Sequence, residues 1–429
     1  MPRHTAFCSK LVLVAIGLAS LWTSALAASG DTNTNAIFER YKNRIVQIRV
    51  LEASSGARAL IGSGFLVSEA GHIVTNYHVV SDLVHKPKQY RAEIVHHDGT
   101  TGPFTLLSFD AVHDLAIVQT NPPKHPYLKL HTQPLGQGMR VFSLGTPLDL
   151  GFTIVEGTYS GLLADSLHER IHFTGSINAG MSGGPALTSD GRVVGVNVAS
   201  AGNQVSFLVP AKFVRQLLDD TMLPDHKADA PALEQLRAQL LANQNRYMEQ
   251  LLARPLTTTV LGRYRLPGKI APFLKCWGDS DHKKDKLYQT TSWDCSAQNY
   301  LYISRSQLSG TLTISHELVT SDALDRFRFF ALYQEFFAQD AYAPRADKED
   351  VGKFNCMTDF VTQNDLTFKA VLCLRAYKKL PGLYDAVLKA ATLNDNSQGV
   401  LTTLTLGGVS FENATRFARQ YLGSIAWAK

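Results

Sequence analysis

The sequence predicts a mostly β N-terminal unit of barrel or sandwich type, then one helical connector, then a separate α+β domain. Three observations carry this. From about residue 36 to 218, short β-branched or apolar runs alternate with pieces containing Gly, Pro, Asn and Asp. Residues 229–254 then repeat apolar side chains near helical spacing. Beyond Leu256 the composition shifts, and Cys276, Cys295, Cys356 and Cys373 all fall there.

The chain has 429 residues, 45% hydrophobic and 18% charged, which is globular composition and length for two or three domains. Its net charge of +5 is spread over residues of both signs. No block of Lys or Arg stands out, so no nucleic-acid stripe is expected. Residues 1–27 read as a signal peptide. Arg3 and Lys10 give a positive start, an apolar run begins at Leu11, and Ala25-Leu26-Ala27 offers small residues to a signal peptidase. An uncut membrane anchor is the alternative reading. Export is therefore expected, to the periplasm first and the extracellular space second. No later stretch is apolar enough to span a bilayer, so no stable membrane insertion is expected after cleavage.

The first domain is placed at 36–223. Its expected strands include Ile45 to Val50, Gly64 to Val67, Ile73 to Val74, Leu115 to Val118, Val141 to Leu144, Val193 to Val198 and Val205 to Val209. The connector is placed at 229–254, with Asp229 as cap, Pro231 in the first turn and Pro255 after the end. Leu233, Leu236, Leu240, Tyr247 and Leu251 share one face. That face suits packing on a neighbouring domain, and an oligomerisation helix is the sharper alternative.

The C-terminal domain is placed at 256–429. Four cysteines in an exported chain suggest disulfides, with three possible connectivities. The local pairing, Cys276 with Cys295 and Cys356 with Cys373, is simplest. Zinc is the rival reading, but no C-x-x-C pair is present, so no metal is expected. A diverged duplication is suggested. Cys276 and Cys295 are followed by Gly310-Thr311-Leu312-Thr313 and then Arg326-Phe327. Cys356 and Cys373 are followed by Gly399-Val400-Leu401-Thr402 and then Arg416-Phe417, with an insertion around Lys378 to Asn396.

Three segments can carry chemistry. They are Thr75-Asn76-Tyr77-His78-Val79, Asp110-Ala111-Val112-His113-Asp114-Leu115-Ala116, and Ser176-Ile177-Asn178-Ala179-Gly180-Met181-Ser182-Gly183-Gly184-Pro185. A serine hydroxyl becomes a nucleophile when a base lies within reach and a carboxylate orients that base. Histidine suits the base role near neutral pH. The oxyanion formed on attack needs preorganised N–H donors, each worth about 3 to 4 kcal/mol. The glycines around Ser182 let consecutive N–H groups turn into one space. His78, Asp114 and Ser182 are therefore the expected catalytic residues, and Gly180 and Ser182 the expected oxyanion-hole donors. Each segment alone has an ordinary structural reading: a tight loop, a core histidine, a turn cap. Their combination on a β-rich chain is specific.

Here the sequence resembles the trypsin-like serine peptidases, and within them the HtrA (Deg) family. Gly62-Ser63-Gly64-Phe65, Thr75-Asn76-Tyr77-His78-Val79, Asp114-Leu115-Ala116, Ser176-Ile177-Asn178 and Ser182-Gly183-Gly184-Pro185 match that family's patterns over roughly residues 36–218. The resemblance implies two six-stranded β-barrels of chymotrypsin or trypsin type, an active site between them, and neither metal nor cofactor. It implies protein or peptide substrates cut through an acyl-enzyme. The primary pocket would have Ser176 at its base and Gly195, Val196, Asn197 and Val198 along its wall. An uncharged Ser176 favours small or medium apolar P1 residues. Two departures stand out: Met181 replaces the usual asparagine, and no PDZ domain is recognisable. The alternative function is a catalytically weak or inactive chaperone-like or adaptor protein that binds partners through residues 256–429.

Overall fold

The computed structural model describes residues 34–428 apart from 122–125, 134, 203, 224–230, 282–284, 298–299, 340 and 342. The expected signal peptide and the Asp229 cap lie outside the described residues. Among those residues no helix is long and apolar enough to cross a membrane.

A short helix, α1 (Thr34–Tyr41), leads into the first sheet. That sheet contains β1 (Ile45–Glu52), β2 (Arg58–Leu66), β3 (His72–Thr75), β4 (Tyr90–Val95), β5 (Thr101–Pro103), β6 (Thr105–Asp110) and β7 (Leu115–Gln119), with α2 (Tyr77–His85) between β3 and β4. A second sheet follows, with β8 (Lys129–Leu130), β9 (Arg140–Gly145), β10 (Thr153–Leu162), β11 (Ile171–Phe173), β12 (Pro185–Leu187), β13 (Arg192–Ser200) and β14 (Ser206–Pro210), and α3 (Ala211–Thr221) ends the unit. The expected runs fall in or directly beside these strands.

The second sheet closes, because β12 pairs with both β9 and β13. Six strands in the order β12-β9-β10-β11-β14-β13 thus form a barrel. The first sheet has the order β5-β4-β1-β2-β3-β7-β6, and no pairing among the described residues joins its two ends. A closed barrel thus stands beside a half-barrel sheet, consistent with the expected double β-barrel. Ile94 of β4 and Phe109 of β6 share one buried cluster with Leu236, Leu240, Leu301, Ile303, Tyr377 and Leu380. Apolar side chains from outside the sheet complete its interior in place of a closing strand pair.

Two of those side chains belong to the connector, α4 (Ala232–Leu252). Leu236 and Leu240 pack on the half-barrel, while Tyr247, Met248 and Leu251 enter the core of the C-terminal domain. One apolar stripe thus serves two cores, and the helix ends three residues before Pro255.

The C-terminal domain begins with β15 (Thr258–Leu261) and β16 (Tyr264–Pro267). Its main sheet uses β17 (Leu274–Asp281) and β18 (Gln289–Ala297), then a small hairpin of β19 (Leu301–Ser304) and β20 (Gln307–Ser309), then β21 (Leu312–Thr320) and helix α5 (Arg326–Ala338). The second half supplies β22 (Asn355–Gln363), β23 (Leu366–Ala376), β24 (Tyr384–Thr392), β25 (Gln398–Val409) and helix α6 (Phe411–Gly423). The sheet is antiparallel, in the order β17-β18-β21-β25-β24-β23-β22. Successive residues of β25 point to opposite faces: Val400 joins the cluster under α6 and Leu401 the cluster under α5. The helices therefore cover opposite faces. Asp325 caps α5 by accepting from Phe327 N and Arg328 N, and Ser410 caps α6 by accepting from Asn413 N.

The two segments compared in the sequence lie on either side of the central β21–β25 pair, and residues 378–396 contain β24, which comes between. The Arg-Phe pairs differ in register: Arg326 opens α5, whereas Arg416 is the sixth residue of α6. Both cysteine pairs stand at disulfide distance, directly opposite each other across β17–β18 and β22–β23. Each bridge therefore ties an edge strand of the sheet to its neighbour. Non-reducing peptide mapping should recover Cys276–Cys295 and Cys356–Cys373 crosslinks. Replacing either pair by serine should lower stability by about 3 kcal/mol, read from the urea midpoint. A recovered Cys276–Cys356 crosslink contradicts this arrangement.

Candidate active site

His78 is the second residue of α2, placed there by the sharp exit from β3. Asn76 stays extended and the helix starts at Tyr77. Tyr77 is fully buried, stacks on Phe109 with ring centroids 4.9 Å apart, and donates its hydroxyl to Ile303 O at 3.1 Å. The start of the helix is thereby fixed from beneath.

Asp114 follows a tight turn. The Asp110 carboxylate accepts from Val112 N and His113 N, each at 2.9 Å, and contacts His113 Nδ1 at 2.5 Å. The turn is gripped from outside by α4: Gln239 Oε1 accepts from Ala111 N, and Gln239 Nε2 donates to Phe109 O, both at 2.8 Å. Asp114 itself has φ of 61°, a left-handed conformation that aspartate tolerates better than most residues. Asn76 Nδ2 holds its carbonyl at 2.7 Å.

The Asp114 carboxylate grips His78 twice. Oδ1 accepts from His78 N at 2.8 Å and Oδ2 meets His78 Nδ1 at 2.7 Å. With Nδ1 as the donor, Nε2 keeps its lone pair for a proton. Asp114 is nearly buried at 8% side-chain exposure and the imidazole lies at 17%, so the pair opens towards solvent on the histidine side.

The Ser182 loop needs its glycines. Gly180 has φ of 94°, and a Cβ there would stand 2.4 Å from Thr146 O; Gly183 has φ of 85°, and its Cβ would stand 2.2 Å from Ser63 O. The loop is bonded on all sides. Met181 N donates to Asn178 O at 3.0 Å, Gly184 N to Met181 O at 3.0 Å, and Gly183 N to Asn197 O at 3.0 Å. The N–H groups of Gly180 and Ser182 take no part in these backbone bonds. Met181, which departs from the family pattern, is fully buried beside Phe173, Ile177 and Leu208 and pins the loop to the barrel core.

Ser182 is half-buried. The structure joins His78 to Asp114 by hydrogen bonds, and no hydrogen bond joins Ser182 Oγ to His78. Ser176 is exposed. Of the four expected wall residues, Gly195, Val196 and Asn197 are buried, and Val198 is half-buried. Asn197 is spent on the loop: its Nδ2 donates to Leu144 O and Met181 O, and its Oδ1 accepts from Ser143 Oγ at 2.8 Å. Its side chain thus braces the Ser182 loop from beneath.

Sequence reasoning missed three further residues. Ser63 is the first. Its Oγ donates to Gly180 O at 2.7 Å and accepts from Thr146 N at 3.0 Å, while its N–H donates to Ser182 O at 2.7 Å. It lies in a quoted phrase, but nothing local says that its partners are 117 and 83 residues away. Gln239 is the second, legible only as a polar residue on a helix. Tyr302 is the third: its ring lies against His78 with centroids 5.2 Å apart.

Residues 62–196 match the family described as the Trypsin-like peptidase domain. Among curated relatives, the chain is 32% identical over 179 residues to "Probable periplasmic serine endoprotease DegP-like" of Chlamydia pneumoniae, covering 39% of this chain and 36% of that one. It is 33% identical over 192 residues to "Protease Do-like 1, chloroplastic" of Arabidopsis thaliana, covering 40% of each. It is 33% identical over 169 residues to "Serine protease HTRA3" of Homo sapiens, covering 37% of each. The matches thus span two fifths or less of these relatives' lengths. The half-barrel and barrel, the matched segment and these relatives agree: the N-terminal unit of this chain is a trypsin-like peptidase domain of the kind found in the DegP-like, Do-like and HTRA proteases.

Proposed function

We propose that the protein is an exported serine endopeptidase acting on protein substrates, with His78, Asp114 and Ser182 as its triad. The observation that carries this reading is the double grip of one Asp114 carboxylate on His78 N and Nδ1. It fixes the imidazole in the orientation and tautomer that a base needs. Relatives named as periplasmic and as serine proteases support the compartment and the reaction.

The chemistry runs in two halves. His78 Nε2 takes the Ser182 Oγ proton as the oxygen attacks the substrate carbonyl carbon. The carbonyl oxygen becomes an oxyanion and is received by the Gly180 and Ser182 N–H groups. His78 then gives its proton to the leaving amine, and the acyl group stays on Ser182. Water enters, loses a proton to His78, attacks the ester and releases the acid as the proton returns to Ser182. An uncharged Ser176 at the pocket base would favour a small or medium apolar P1 side chain.

Ser182→Ala should lower kcat on casein by about 10⁴-fold or more while leaving the unfolding midpoint unchanged. His78→Ala should do the same, and the double variant should be little worse, because the residues act as a unit. A Ser182→Ala chain that cleaves at near wild-type rate defeats the assignment.

Ser63→Ala tests the support beneath the hole. It removes the acceptor of Thr146 N and the donor to Gly180 O, two largely buried groups. Stability should fall by about 1 to 3 kcal/mol, and kcat should fall more than KM rises. Calorimetry with steady-state kinetics reads both; a change in neither shows that the bolt is dispensable.

Peptides with Val, Ala or Leu at P1 should be cut at least about tenfold faster than those with Lys or Arg, equivalent to about 1.4 kcal/mol in the transition state. Cleavage-site profiling dominated by arginine contradicts the pocket reading.

A further inference from the structure

The C-terminal domain reaches the catalytic histidine. The hairpin of β19 and β20 lies against α2, the helix that carries His78. Along β19 the residues alternate: Leu301 and Ile303 are buried at 4% and 0%, joining the half-barrel cluster, while Tyr302 is 41% exposed. The Tyr302 ring meets the His78 ring at a 35° tilt, with centroids 5.2 Å apart. Burial pushes the phenol up from its ordinary value, and the nearby Asp114 carboxylate adds to this, so the side chain is neutral where a peptidase works.

The hairpin is held to α2 rather than resting on it. Arg305 Nε meets Asp82 Oδ2 at 2.6 Å, with the aspartate nearly buried. The same guanidinium donates to Ala59 O at 3.0 Å and to Tyr90 Oη at 2.9 Å. Ile303 O accepts from Tyr77 Oη at 3.1 Å. These bonds reach β2, α2 and β4, so Tyr302 keeps a fixed position relative to His78.

We infer that Tyr302 is a specificity-determining residue: it forms an aromatic wall, supplied by the C-terminal domain, for the substrate subsite that abuts the His78 ring. This rests on the peptidase reading above. A substrate side chain that packs on the exposed face of the imidazole packs on the phenol as well. An aromatic wall without charge rewards an apolar or aromatic side chain there and gives nothing to glycine. The cleft is therefore completed by a residue 120 positions beyond the nucleophile, outside the matched peptidase segment.

The test is cleavage profiling of the full-length chain with a mixed-sequence peptide library, comparing wild type, Tyr302→Ala, Tyr302→Phe and Arg305→Ala. Each result is read as a ratio of kcat/KM between peptides, which a general loss of active protein does not change. Wild type and Tyr302→Phe should share a preference for apolar or aromatic residues over glycine at one position flanking the scissile bond, other than P1. Tyr302→Ala should lower that ratio by about 3- to 10-fold and leave the P1 ratio of Val to Lys where it was. Arg305→Ala, which frees the hairpin, should lower it as well. Ratios unchanged at every position, or ratios that fall equally at all positions, overturn the inference. So does a Tyr302→Ala chain that cuts every peptide faster, because the tyrosine would then be a cover over His78 rather than a wall. Labelling of wild-type Ser182 by a fluorophosphonate separates the two levels: without labelling the peptidase reading fails, and with labelling but no shift in ratio only the Tyr302 assignment fails.

Discussion

The loop that carries Ser182 belongs to the closed barrel but is bolted to the half-barrel through Ser63. One hydroxyl bonds Gly180 O and Thr146 N, and the same residue's N–H bonds Ser182 O. Thr75 Oγ1, at the end of β3, in turn donates to Ser63 O at 2.8 Å. Thr75, two residues before the His78 helix, and the Ser182 loop therefore meet on a single serine. A buried network of this kind holds its geometry only while every member is satisfied. The absence of a Cβ at Gly183 lets the chain approach Ser63 O closely enough for the network to exist. The rest of the site hangs from this junction between the sheets.

The second support comes from outside the peptidase unit. Gln239 of α4 closes a two-bond bracket around the turn that presents Asp114, and Ile303 O receives the hydroxyl beneath His78. The half-barrel's cluster is completed by Leu236, Leu240, Leu301, Ile303, Tyr377 and Leu380. The C-terminal domain is a separate sheet, yet its apolar contacts with the peptidase unit form part of a core. The His78–Asp114 pair is thus held by residues spread across nearly the whole chain, whereas the loop of Ser182 is held within the two sheets alone.

What was legible in the sequence follows the range of the forces involved. Strands of β1, β3, β7, β9 and β13 show as β-branched runs because their period is local. The helical stripe of α4 shows for the same reason, although which half faces which core does not. His78 and Asp114 show because each sits in a short contiguous motif whose residue types suit the chemistry, and Gly180 and Gly183 because a positive φ restricts residue type. Ser63, Asn197 and Tyr302 do not show. Each is an ordinary residue in an ordinary strand, and its importance comes from partners brought close by folding. The open side of the first sheet was hidden likewise, since the side chains that fill it are read locally as parts of another domain. The direct cysteine pairing was legible because two short loops need little chain to close.

The placement of those bridges bears on how the molecule behaves among its neighbours. β17 and β22 are the two margins of the C-terminal sheet, and among the described residues each pairs on one side only. Trp277, Met357 and Phe360 stand exposed along them at 57%, 71% and 65%. A margin of this kind is a template on which a stray extended chain can add itself, all the more so if the strand can slide in register. A covalent tie between directly opposed residues forbids sliding, because Cys276 can face no residue but Cys295, and Cys356 none but Cys373. For a protein whose proposed substrates are themselves extended or unfolding chains, these margins are the places where a guest strand would otherwise be recruited, and the bridges hold them in one fixed register.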